Sequence, residues 1–138
     1  MIKKENKRQS GFTLIELLIV MAILALLAGL VGPTLWNKLA GAKTDTAATQ
    51  IKSFEAALDS YRLDIGRYPK EIDDLVKNNS GKSRWNGPYI KKIPKDPWGN
   101  DYQYQKPGKY NKDYDLFSYG ADGQEGGDEK EDQDVTNW

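Results

Sequence analysis

Residues Phe12 to Leu35 read FTLIELLIVMAILALLAGLVGPTL, with Glu16 the only charge in the run. About 24 residues at 1.5 Å each make a helix long enough to cross the roughly 30 Å apolar core of a bilayer. Lys3, Lys4, Lys7 and Arg8 precede it against Glu5 alone. Basic flanks stay on the cytoplasmic side, which places the N-terminus in the cytoplasm and everything after the run outside it. A secretory signal peptide fits poorly, because cleavage at the far end of its short apolar stretch would discard this long run. A plain signal anchor accounts for the length and the basic flank but gives no reason for an acid five residues into the stretch. An ionised carboxylate at bilayer depth costs about 2.5–3.5 kcal/mol even on insertion scales, so Glu16 requires a partner or a function. Near the outer end, Pro33 removes a helical N–H and predicts a kink, while Gly29 and Gly32 permit close helix approach. Membrane helices also tolerate such residues without consequence, and the sequence favours neither view.

Beyond Pro33 the pattern turns amphipathic. Ala40, Thr44, Ala47, Ile51, Phe54, Leu58, Tyr61 and Ile65 recur at spacings of four and three, one face of a helix, with charged residues such as Lys52, Glu55, Asp59 and Arg62 on the others. Gly66 supplies a stop and Pro69 follows. The stripe spans too few heptads to prefer a coiled coil, and packing on a sheet is the expectation. Joined end to end, about 54 residues from Phe12 to Ile65 make one helical spine of roughly 80 Å. Glu71 to Lys77 reads as a short helix, Asn78 to Gly87 as a loop, and Tyr102 to Gln105 and Tyr114 to Tyr119 as short strands. Asp96-Pro97-Trp98-Gly99 reads as a tight turn with a buried Trp. Two strands alone are marginal in water, so the stem must complete their core. The fold class is α+β: a long N-terminal helix, half membrane-spanning and half amphipathic stem, packed on a small antiparallel sheet.

With 138 residues, one small domain is the expectation. The 20 basic and 20 acidic residues cancel, which argues against nucleic-acid binding, since that affinity rests on a surplus of Lys and Arg facing phosphates. No Cys is present, so disulfides and thiolate metal sites are excluded, and with no His the usual general base is missing too. No spacing among the plentiful Asp and Glu selects an acid–base pair, so an enzyme is not expected. The stretch from Asp122 to Asp134 carries seven carboxylates against Lys130. Either it is a solvated acidic tail, or a cation neutralises it; Ca²⁺ takes about six to eight oxygen ligands in flexible geometry. Composition leaves the two even. An EF-hand is excluded: counting from Asp122, Gly126 and Gln133 fall where ligands are required.

The segment Gly11-Phe12-Thr13-Leu14-Ile15-Glu16 after a short basic leader resembles the processing site of type IV prepilins and type II secretion pseudopilins. Gly66-Arg67-Tyr68-Pro69, Pro94-Lys95-Asp96-Pro97-Trp98-Gly99-Asn100-Asp101-Tyr102, Gly120-Ala121-Asp122-Gly123 and the ending Asp134-Val135-Thr136-Asn137-Trp138 are similar to major pseudopilins of type II secretion. The resemblance implies a leader of residues 1–11, cleaved between Gly11 and Phe12 by a membrane prepilin peptidase. Residues 12–35 then form the transmembrane and assembly helix, and residues 36–138 a periplasmic pilin-like domain. Phe12 becomes N-methylated, and its cationic amine reaches the Glu16 carboxylate of a neighbouring copy, setting the axial register. The chain would be a single-pass inner-membrane protein and a homopolymer, working with minor pseudopilins and an inner-membrane assembly platform. The resemblance also implies a structural calcium in the C-terminal loop, held by Asp122, Asp132 and Asp134 with the carbonyls of Tyr119 and Gln124. Asp132 takes the place of a family ligand that falls at Gln133. Asp128, Glu129 and Glu131 remain solvated.

The competing reading is a subunit of a type IV pilus-like adhesion or DNA-uptake filament. It shares the N-terminus, but the Cys-free acidic loop and the PKDPWGN segment weigh against it.

Overall fold

The computed structural model describes residues 9–138, so the basic charges of the leader fall outside the described residues. Helix α1 runs Leu14–Ile65 without interruption at Pro33. Gly66 ends it at φ +87°, its N–H bonding the Arg62 carbonyl at 2.7 Å, a left-handed stop that side-chain-bearing residues resist. The chain divides into two compact units, one extending to Asn37 and the other Lys38–Trp138.

In the first unit every apolar side chain from Phe12 to Trp36 is exposed, and none of the most apolar window is buried within the chain. Leaving so much contiguous apolar surface in water is unfavourable, at about 25 cal/mol per Å², so lipid or other chains must cover it.

The second unit builds its core from the stem. Ala40, Ala47, Ile51, Phe54, Leu58 and Tyr61 are buried as the helical spacing predicts, Thr44 and Ile65 are half-buried, and Ala57 joins the face. From Ala47 onward this face packs on Leu75, Tyr102, Tyr114, Leu116 and Val135, with the Phe54 and Tyr102 rings edge-on at 5.2 Å. The stripe thus meets a sheet and not a second helix. Phe54 is 0% exposed, and Phe54→Ala is expected to cost about 3–5 kcal/mol and lower Tm by more than about 12 °C. An unchanged calorimetric midpoint would refute that placement.

A 3₁₀ turn at Ile72–Leu75 stands where the short helix was expected. The sheet is antiparallel in the order β1 (Gln103–Gln105), β2 (Asp115–Ser118), β3 (Val135–Thr136), with Tyr104 opposite Leu116 and Ser118 opposite Val135. Strand β3 has no clear sequence signature, because two residues are too few for alternation. Asn137 extends the pairing through both its backbone and its side chain: its N–H donates to the Leu116 carbonyl at 3.1 Å, and its Oδ1 accepts from the Leu116 N–H at 3.0 Å.

Two buried aspartates shape the loops. Asp96 accepts from the N–H groups of Trp98 (3.1 Å) and Asn100 (2.8 Å) and from the Ser118 hydroxyl (2.6 Å), fixing the turn read from Asp96-Pro97-Trp98-Gly99 and tying it to β2. Asp115, 1% exposed, accepts from the N–H groups of Lys109 (2.6 Å), Tyr110 (3.0 Å) and Asn111 (2.8 Å). Burial alone would raise its pKa, but these amide donors outweigh it and hold the carboxyl below the usual carboxylate range. A depressed folded-state pKa contributes stability that is complete above the unfolded value of about 3.9 and is lost as pH falls below it. The stability advantage of the native protein over Asp115→Asn is therefore expected to shrink from about pH 5 downward, in denaturant titrations at stepped pH. A constant difference would contradict it.

Candidate functional site

At the N-terminal site, Gly11 precedes the helix and a Cβ there would meet nothing within 4 Å, so nothing inside the chain demands glycine. The Gly11–Phe12 bond is exposed, and Phe12 is 91% exposed. Thr13 and Glu16 form a reciprocal cap: the Glu16 carboxylate accepts from the Thr13 N–H at 3.1 Å, and the Thr13 hydroxyl accepts from the Glu16 N–H at 3.2 Å. Sequence reasoning assigned Glu16 only an intermolecular partner and passed over Thr13. The spacing Thr-x-x-Glu ahead of an apolar run is the signal that finds this cap. Cleavage before Phe12 would create an amine one residue from the amide that Glu16 already engages.

In the second unit the acidic C-terminal loop folds back on itself. The Asp134 Oδ2 accepts from the Gly126 N–H at 3.1 Å, and the Asp122 Oδ1 accepts from the Gln124 N–H at 3.1 Å. Gly120 and Gly127 have φ of +77° and +113°. A Cβ at Gly120 would lie 2.7 Å from the Glu131 carbonyl oxygen and 2.8 Å from that of Gln133, and one at Gly127 would clash with that of Asp132. Backbone oxygens therefore crowd the loop where only glycine fits.

Of the five expected ligands, Tyr119 and Asp134 line one cavity of about 170 Å³ with Glu125, Lys109, Phe117 and Trp138. Asp122 and Gln124 are exposed and Asp132 half-buried on the neighbouring turns. Among the described residues, no three acidic side chains converge as a metal cluster. The Asp134 Oδ1, however, is buried with no hydrogen-bond partner. A buried unpartnered carboxylate oxygen is costly, and a cation is the partner that a carboxylate-rich, carbonyl-lined loop accepts. The residues present thus fit Ca²⁺ at Asp134. Glu125 was not singled out from the sequence, since nothing in its spacing sets it apart from the solvated acids; the fold alone brings it to the cavity.

Two family models match the chain: "Type II secretion system (T2SS), protein G" over residues 34–138 and "Prokaryotic N-terminal methylation motif" over residues 6–32. The type II secretion system core protein G of Pseudomonas aeruginosa is 45% identical, covering 97% of this chain and 98% of the relative. That of Vibrio cholerae is 44% identical, covering 98% and 95%. The crystal structure of the major pseudopilin from the type 2 secretion system of enterohaemorrhagic Escherichia coli superposes with a TM-score of 0.62 at 35% identity, over 77% of this chain and 95% of that one. A long helix on a three-stranded sheet, an exposed apolar N-terminal segment with one acid, and matches across nearly the whole length point the same way: the chain belongs to the type II secretion system protein G family, the major pseudopilins.

Proposed function

We propose that this chain is the repeating subunit of a periplasmic pseudopilus, anchored in the inner membrane before assembly and supporting export of folded proteins across the outer membrane. The observation that carries this reading is the wholly exposed apolar segment from Phe12 to Trp36, which bears a single acid, Glu16, in the first turn of α1. Such a surface is stable in lipid, and equally against the same surface of other copies once the subunit leaves the membrane. A prepilin peptidase cuts after Gly11 and Phe12 is N-methylated; an inner-membrane platform adds the subunit, and minor pseudopilins join the same filament. Ca²⁺ is the structural ion of the C-terminal loop. Asp134 anchors it, with Asp122, Asp132 and the carbonyls of Tyr119 and Gln124 completing the oxygen set. Bound there, it supplies charge neutralisation and closes the loop; no catalysis is involved.

The test is genetic. Deleting the gene is expected to strand secreted proteins in the periplasm, and the native chain restores export. Gly11→Ala is expected to accumulate as uncleaved precursor, form no filaments and restore nothing. Export that proceeds without the gene would refute the reading, and cleavage of Gly11→Ala at the native rate would refute the processing step.

A further inference from the structure

Five cations lie in one region of the second unit, none of them in an ion pair among the described residues. Arg67, Lys82 and Arg84 line a cleft of about 250 Å³ with Ile65 and Ser83, and Lys70 and Lys106 adjoin it. Burial and then the charges of Arg67, Lys82 and Lys70, opposed in part by Asp113, push the Lys106 ammonium below its ordinary pKa. The cluster is held in place. The Lys82 Nζ donates to the Tyr61 hydroxyl at 3.2 Å, the Asn78 side chain brackets the Lys82 backbone with two bonds of 2.9 Å, and the Lys106 ammonium donates to the Tyr68 carbonyl. The Trp85 indole N–H anchors the same loop on the Asp74 carbonyl at 2.8 Å. Among the described residues the only ion pair is Lys95–Asp101, so no carboxylate lies within ion-pair distance of these cations.

The complementary surface lies elsewhere on the same unit. Glu125, Asp128 and Glu129 are exposed, Glu131 is half-buried, and none has an ion-pair partner among the described residues. Net charge is zero, yet the cleft and the loop carry opposite signs, the loop holding Lys130 as its one cation. A surface that fits a different surface of the same molecule makes a head-to-tail contact, and head-to-tail contacts that do not close generate open helical filaments.

We propose that the basic cleft of Arg67, Lys82 and Arg84 receives the acidic loop, residues 125–131, of a second copy of this chain, as a contact between the globular domains of pseudopilus subunits. The proposal rests on the pseudopilus reading. Apart from Glu125, which lines the Asp134 cavity, its charges are those left over when Asp122, Asp132 and Asp134 serve the ion.

Charge reversal in the full-length chain, expressed with its secretion system, tests it. Arg67→Glu with Arg84→Glu, and separately Asp128→Lys with Glu129→Lys, are each expected to lower the yield of sheared filaments about tenfold or more, as opposed charges become like ones. Combining all four reversals is expected to restore the yield to within about threefold, because the attraction returns with the signs exchanged. The native sequence has no Cys, so Ser83→Cys with Glu129→Cys gives a clean second readout in a chain whose charge pattern is otherwise almost intact: oxidation is expected to produce a ladder of multimers. Native yields from either reversed pair, failure of the four-fold variant to recover, or cross-links only to other proteins would each overturn the contact. If the unaltered chain forms no filaments, the pseudopilus reading itself fails and takes this contact with it.

Discussion

Glu16→Ala is expected to be cleaved after Gly11 at a normal rate and then to yield no filaments. The bond to be cut lies outside the helix and is exposed whatever stands at residue 16, so maturation has no need of the acid. Assembly does. In the proposed filament the Phe12 amine exposed by cleavage and the Glu16 carboxylate both lie within apolar packing, and removing one partner of such a pair costs about 2–5 kcal/mol. The local cap that Glu16 makes with the Thr13 N–H at 3.1 Å is the competing explanation of any defect, and N-cap interactions contribute about 0.5–2 kcal/mol. Glu16→Gln separates the two. An amide oxygen accepts from the Thr13 N–H as a carboxylate does, but it offers no charge to the amine. The expected order in filament yield is native, then Thr13→Ala with a modest loss, then Glu16→Gln and Glu16→Ala together near zero. Normal filaments from Glu16→Gln would leave capping as the whole role of the residue and sink the register argument.

Much of this was legible in the sequence because it is written as period or as punctuation. The stem stripe from Ala40 to Ile65 needs only the 3.6-residue repeat, and Gly66 marks the end that the φ of +87° confirms. Alternating aromatics gave β1 and β2 to within a residue or two at each end. What escaped depends on tertiary context. Strand β3 exists because Val135 and Asn137 dock on β2, and two residues carry no period of their own. Asp115 looks like any acid in a polar stretch until burial and three backbone donors make it the centre of the 109–115 loop. Within the acidic terminus, sequence names the carboxylates but not their positions. Asp134 is drawn inward next to Val135, while Asp122 stays at the surface. The resemblance to pseudopilins, and not the spacing, supplied the ligand set, of which Tyr119 and Asp134 share a cavity.

Asp134 carries the second large effect, and its sign is expected to reverse with calcium. The unit Lys38–Trp138 contains its own core, so a soluble fragment beginning at Lys38 is the material for this measurement. With the ion at a hundred times its Kd, linkage adds about 2.7 kcal/mol of stability, or roughly 10–20 °C in Tm for a domain of this size. Chelation is expected to remove that gain from the native fragment, and Asp122→Ala combined with Asp134→Ala is expected never to show it. Asp134→Asn is the more discriminating variant. Without calcium, the native Asp134 Oδ1 is a buried carboxylate oxygen with no hydrogen-bond partner, a condition that costs about 1–3 kcal/mol. A neutral amide is cheaper to bury than a carboxylate, so in chelator Asp134→Asn should match or exceed the native Tm. In saturating calcium the order inverts, because an amide neutralises no charge on the ion and ligates it weakly. A purely structural Asp134, bonded through Oδ2 to the Gly126 N–H, predicts instead the same difference between native and variant in both conditions. An Asp134→Asn fragment that keeps the full native response to calcium would remove Asp134 from the site.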